Sequence, residues 1–260
     1  MKKTIIISCI VLAIFSFLAF TFINKNKSTS DNLETASLEV STKAEETKKQ
    51  TFPDFIYDIG TRFSPIKKEA IINATSVNSI FSKDEMHKIE SVKSVEFIIV
   101  KNDKRADKSE TANSASFTDE QINFLNSLDY STNFIMEVDY NIKTDLIERT
   151  STPHYTVVPD IQAQYIYGKD ALIKYFIENT KEETANIPED KLQPAKLYFT
   201  VTKNGTVNNV NLDRSSGYPN IDELMIGLIN NTPGGWIPAL NSKGETVDQE
   251  LVVSFGLMGC

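Results

Sequence analysis

The stretch AKLYFTVTKNG, Ala195–Gly205, constrains this chain more than any other. Ala195, Leu197, Phe199 and Val201 alternate strictly with Lys196, Tyr198, Thr200 and Thr202. A period of two sends successive side chains to opposite faces, so the segment reads as a strand with one buried face. Asn204-Gly205 follows, the pair that best tolerates the positive φ of a tight hairpin. The return strand TVNNVNLDRSSG turns Val207, Val210 and Leu212 to the same core, with a slip around Asn208. A half-apolar hairpin must be covered by a second layer. Two flanking segments can supply it. GKDALIKYFIENT gathers Leu172, Tyr175, Phe176 and Asn179 near one helical face, and NIDELMIGLINN gathers Ile221, Leu224 and Leu228. The last apolar run, TVDQELVVSFG, turns Val247, Leu251, Val253 and Phe255 inward and Asp248, Glu250, Val252 and Ser254 outward. The order helix, strand, strand, helix, strand predicts an α+β two-layer sandwich over 161–260. It has a three-stranded antiparallel sheet with two helices on one face.

Before that last strand lies NNTPGGWIPALNSKG, which carries the only tryptophan, Trp236, between Gly234-Gly235 and Pro238. Pro233 and the glycines end the second helix and reverse the chain. The indole is then expected to fold back as a core plug, with a loop carbonyl meeting its N–H.

Residues 51–160 read as an additional α+β or β-rich unit. FIYDIG is a strand. SPIKKEAIINA is a helix opened by Ser64-Pro65, SKDEMHKIES a helix with Ser82 as cap and Glu85 at the capping-box position, and SFTDEQINFLNSL a helix capped by Thr118. SVEFIIVKND, NFIMEVDYNIKT and HYTVVPD are strands.

The N-terminus bears on location. Thr4–Ile23 is an uncharged, mostly apolar run of 20 residues; as a helix it is about 30 Å long, the thickness of a bilayer core. That fits a transmembrane signal anchor over 1–23 better than a cleaved signal, whose apolar region is shorter, or a lipoprotein acylated at Cys9. Lys2 and Lys3 place the N-terminus in the cytoplasm, only weakly against Lys25 and Lys27, and the rest outside it. Residues 24–50 carry five lysines, five acidic residues and no proline, glycine or aromatic. Such a segment buries too little to offset ordering entropy, so it reads as a disordered tether averaging about 30 Å.

Several chemistries are excluded or disfavoured. A net charge of −8 argues against a nucleic-acid partner. Cys9 and Cys260 cannot make a disulfide framework. His87 with Glu90 at i+3 lacks further ligands, so it reads as a solvated helix face rather than a metal pair. His154 starts a strand, and Ser215-Ser216 sit in a turn before a helix. No hydrolase, zinc-protease or phosphate-loop motif occurs. The chain is expected to be no enzyme and to need no cofactor or metal.

The residues from about Tyr165 to Phe255 resemble the C-terminal domain of TonB-family energy transducers. The match rests on GKDALIKYFIEN, the hairpin LYFTVTKNGTVNNVNLDRSSG, the Trp-x-Pro exit in IDELMIGLINNTPGGWIPA, and the final KGETVDQELVVSF. Anchor and tether also sit where that family has them. The family linker is Pro-rich and this one is not. Its best-known members carry a histidine in the membrane helix, where this chain has Ser8 and Ser16.

The resemblance implies a single-pass inner-membrane protein with its C-terminal domains in the periplasm. Such a protein draws on an ExbB/ExbD-like proton-driven motor, with Ser8 and Ser16 on the coupling helix. It docks on TonB-dependent outer-membrane transporters by strand addition to the edge of the last strand. Here that edge is Thr246, Val247, Asp248, Gln249, Glu250, Leu251, Val252, Val253, Ser254 and Phe255. Trp236, Pro238 and Gly205 have structural roles. The same edge could pair two copies into a homodimer. The alternative is a non-transducing envelope binding or scaffold module built on the same domain.

Overall fold

A computed structural model of the chain describes residues 55–144, 147–185, 187–188 and 191–257. The apolar run, the tether, Ser8 and Ser16 lie outside them. The described chain is mixed α+β. In order it forms β1 (Ile56–Gly60), β2 (Ser64–Lys67), α1 (Lys68–Ile72), α2 (Lys83–Lys88), β3 (Ile89–Lys101), β4 (Lys104–Lys108), α3 (Asp119–Ser127), β5 (Asn133–Ile142), β6 (Glu148–Ser151) and β7 (His154–Val158). Then come β8 (Gln164–Tyr165), α4 (Lys169–Thr184), β9 (Pro194–Val201), β10 (Val207–Arg214), α5 (Pro219–Asn230), β11 (Trp236–Ile237), β12 (Ala239–Leu240), β13 (Thr246–Val247) and β14 (Gln249–Gly256).

Two larger sheets organise these elements, each over its own apolar cluster. The first runs β2-β7-β5-β3-β4, with β6 also paired to β5. Val95, Phe97, Phe134, Met136 and Val138 on its inner face pack with Ile71 and Leu125 from α1 and α3. The expected caps form here. Ser82 and Thr118 each accept a bond from the N–H three residues on, and Glu85 and Gln121 bond back to the cap's own N–H. Each such box satisfies two otherwise orphan donors of the first turn. The helix expected from Ser64-Pro65 differs: those residues lie in β2, and α1 begins only at Lys68. β2 is an edge strand running parallel to β7, and an edge is where a proline without an N–H is tolerated.

The second sheet holds the predicted hairpin. β9 and β10 pair antiparallel, and the turn closes with Gly205 N–H donating to Thr202 O at 2.8 Å. The slip expected around Asn208 is a register shift between Asn208 and Asn211, with Asn209 at φ +53°. β14 pairs with β9 on the other side. α4 and α5 cover one face, burying Leu172, Phe176, Ile221, Met225 and Leu228 against Leu197, Phe199, Leu251, Val253 and Phe255.

This sheet has four strands rather than three, in the order β1-β14-β9-β10. The added strand is FIYDIG, which sequence order places in the preceding unit. Its pattern explains the choice: Phe55, Tyr57 and Ile59 alternate onto the cluster beneath α4. Tyr57 sits 6.0 Å from Phe176 and Phe55 6.5 Å from Phe255, ring centre to centre. The chain therefore contributes one strand to the C-terminal sheet, builds the first sheet, and returns.

Trp236 is buried as expected, 7% exposed, with Tyr165 and Phe199 at 5.7 and 5.1 Å. Its placement depends on glycine. The hairpin turn docks on the tryptophan backbone, where Trp236 N–H donates to Gly205 O at 3.3 Å. A Cβ on Gly205, at φ +77°, would stand 2.4 Å from Trp236 O and 3.8 Å from Pro238 Cδ. The expected carbonyl for the indole is not there. Among the described residues Trp236 Nε1 is buried without a hydrogen-bond partner.

Candidate strand-addition site

The expected docking edge is Thr246 to Phe255, and the structure divides it among several neighbours. Thr246 and Val247 belong to β13, paired with Leu240 and Ala239 of β12. Asp248 is exposed, but its Oδ1 accepts the Lys203 N–H at 2.7 Å, tying the hairpin turn to the entry of β14. Gln249 is 1% exposed; its Oε1 accepts from Ala163 N–H at 2.7 Å and its Nε2 donates to Gln162 at 3.1 Å. Glu250 N–H donates to Ser131 Oγ at 2.9 Å.

From Val252 to Gly256 the flank is held by β1, antiparallel, with Ile56 opposite Gly256 and Gly60 opposite Val252. The last strand is therefore not a free edge. It runs between β9 and β1, and the expectation of an open edge there is corrected. The reason lies in its own composition. Leu251, Val252, Val253 and Phe255 are all buried, so the strand is apolar on both faces, as an interior strand is. The same finding removes β14 as a surface for pairing two copies in this conformation.

The inward set of β14 is as expected: Leu251, Val253 and Phe255 enter the core. The outward set does more than face solvent. Val252 is only 5% exposed. Tyr198, opposite it on β9, receives a bond from Arg62, which also pairs with Asp103 and lies 5.3 Å over the Tyr198 and Phe63 rings. Burial pushes the Tyr198 phenol up to about 12, with Arg62 pulling the other way. Burial likewise raises the Glu250 carboxyl, against the pull of Arg62. Lys196 is lowered by burial and then by Arg62 and Arg214. The outer face of this sheet is thus partly covered by the segment that leads from β1 into the first sheet.

At the end of β1 the cover stops. A cavity of about 300 Å³ opens between Ile59, Gly60, Tyr165, Leu172, Trp236 and Leu251. Gln162, Gln164 and Lys169 also line it. Neither the cavity nor β1 was legible as part of the site. The one available signal was the Phe55-Tyr57-Ile59 alternation, which says that the strand has a buried face but not against what.

The remaining candidates stay outside any site. His87 is exposed on α2, and the helix ends at Lys88, so Glu90 lies on β3 and not one turn along. The His154 ring packs tilted against Phe63 at 4.9 Å, and its Nδ1 lies 2.8 Å from Thr152 O. Ser215 Oγ and Ser216 N–H both donate to Asp222, at 2.5 and 2.9 Å, fixing the turn before α5. Among the described residues no cluster of three or more His, Cys, Asp or Glu could hold a metal ion, and no helix is long and apolar enough to cross a membrane. Comparison with family models, with curated proteins and with solved structures found no match for this chain.

Proposed function

We propose that the chain is an envelope-anchored, TonB-like protein. Its C-terminal sheet docks an extended segment of an outer-membrane transporter by strand addition, and its N-terminal segment draws on an inner-membrane proton-driven motor. One observation carries the docking half. β14 takes a five-residue strand from the far end of the described chain along Val252–Gly256, so its flank is competent for strand addition. In that mode backbone N–H and C=O groups supply affinity and alternate side chains supply selection. The apolar run and tether supply the motor half of the reading.

A second reading is a non-transducing envelope scaffold. It is favoured by the same flank being filled by the chain's own β1. A deletion strain separates the two. Transduction predicts loss of uptake of iron chelates or vitamin B12, and retention of ExbB/ExbD-like proteins on a bait carrying residues 1–30. Normal uptake in a strain with no second such protein contradicts it.

A further inference from the structure

We propose that β1 is an internal stand-in for the partner strand. The cavity beside Trp236 selects a partner that runs one residue further along β14 and carries a large apolar side chain there. This deepens the strand-addition reading and rests on it.

β1 is lightly held. None of its five residues is buried: Ile56, Tyr57 and Ile59 are half-buried, while Asp58 and Gly60 are exposed. Opposite them Val252, Val253, Phe255 and Gly256 are buried. Besides the ladder and the packing of Tyr57 and Ile59 on the cluster, with Tyr57 6.0 Å from Phe176, β1 is fixed by the Tyr57–Thr180 hydroxyl contact and by an ion pair from Asp58 to Lys169 at 2.5 Å. Both carriers of that pair are more than half exposed, and such pairs contribute little. The Ile59 N–H donates to its own neighbour, Asp58 Oδ1, at 2.9 Å. That bond also blunts the outer side of β1.

Where β1 ends, the site does not. The register sets Ile59 against Val253 and Gly60 against Val252. One more residue would stand against Leu251. In this chain that residue is Thr61, which turns off the sheet and bonds Phe63 O through its Oγ1 at 2.6 Å. Tyr57 and Ile59 point to the core, so by the period of two the next inward side chain would belong to the residue opposite Leu251. The cavity lies at that place, bounded by Leu251, Leu172, Tyr165 and Trp236. A cavity half that size holds benzene, so a leucine or phenylalanine side chain fits in about 300 Å³. The matching ligand is an extended peptide with four alternate apolar residues, in the pattern of Phe55, Tyr57 and Ile59 plus one. It has to displace β1, so its apparent affinity falls with the fraction of molecules whose flank is open.

The test uses the full chain in detergent micelles, with Cys9→Ser and Cys260→Ser. Emission of the sole tryptophan reports on the cavity wall. The peptide FIYDIGL is expected to bind at least about tenfold tighter than FIYDIGD, a difference of about 1.4 kcal/mol, and to shift Trp236 emission. Tyr57→Ala, which loosens β1, is expected to tighten binding of FIYDIGL by about tenfold. A staple across the opposed pair, Asp58→Cys with Ser254→Cys, should abolish binding when oxidised and restore it on reduction. The proposal is overturned by staple-insensitive binding or by equal affinity for the two peptides. It is equally overturned if both wild type and Tyr57→Ala ignore the peptide, or if a concentration-dependent dimer takes up none, which assigns the flank to a second copy. A staple without effect in a strain whose uptake depends on the protein sinks the stand-in and leaves the docking function standing. Staple-sensitive binding with normal uptake does the reverse.

Discussion

Replacing Trp236 with alanine and with phenylalanine separates two opposing contributions of one side chain. The indole is 7% exposed against Tyr165 and Phe199. Burying 150–250 Å² of ring at 25 cal/mol per Å² contributes about 4–6 kcal/mol. Against this stands the Nε1–H, buried with no acceptor among the described residues, which costs about 1–3 kcal/mol. The alanine variant loses the first and relieves the second, while enlarging a cavity already present. It should therefore lie near the low end of aromatic truncations, about 3 kcal/mol. Phenylalanine keeps most of the ring contact and removes the orphan donor, so it should cost no more than about 1 kcal/mol. Urea unfolding followed by far-ultraviolet circular dichroism reads both, since the fluorophore is gone in each variant. An alanine loss below about 1 kcal/mol would refute the burial argument. A phenylalanine loss as large as that of alanine would show that the N–H has a partner.

Two further perturbations test the supporting parts. Gly205→Ala adds a Cβ at φ +77° and 2.4 Å from Trp236 O; left-handed strain and backbone overlap together should cost about 2–4 kcal/mol, read by thermal unfolding. A fully stable Gly205→Ala would mean that the turn does not dock on Trp236. The Tyr198 phenol, pushed up to about 12 by burial, should be the last tyrosine to ionise in a tyrosinate absorbance titration. An unfolded phenol titrates near pH 10. The stabilising effect of the neutral buried group is therefore fully present below about pH 10 and is lost as pH rises toward 12. Tyr198→Phe should flatten that alkaline decline, and an unchanged decline would place its cause elsewhere.

What was legible in the sequence was local. The Ala195–Val201 alternation, the Asn-Gly turn, the slip at Asn208 and the caps at Ser82 and Thr118 each depend on residues a few positions apart. Each appears as written in the sequence. Ser64-Pro65 misled because the same pair suits a helix start and an edge strand, and pairing with β7 decided between them. The β1–β14 ladder was beyond reach for a related reason. It joins the two ends of the described chain around an entire intervening sheet, and nothing in either strand encodes its partner. The strand expected to dock a partner was therefore taken as open, although β1 fills its flank. Arg62, which bonds Tyr198 on the neighbouring β9, and Ser131, which accepts the Glu250 N–H, had no signal at all.

Docking at β14 requires that it receive a partner strand in the envelope. A photo-crosslinking residue at Ser254, half-buried on the outward side of β14 opposite Asp58, tests it in living cells. The expected product, in cells supplied with the transporter's cargo, is a crosslink to the extended segment of an outer-membrane transporter. A crosslink confined to β1 of the same chain under those conditions would contradict it.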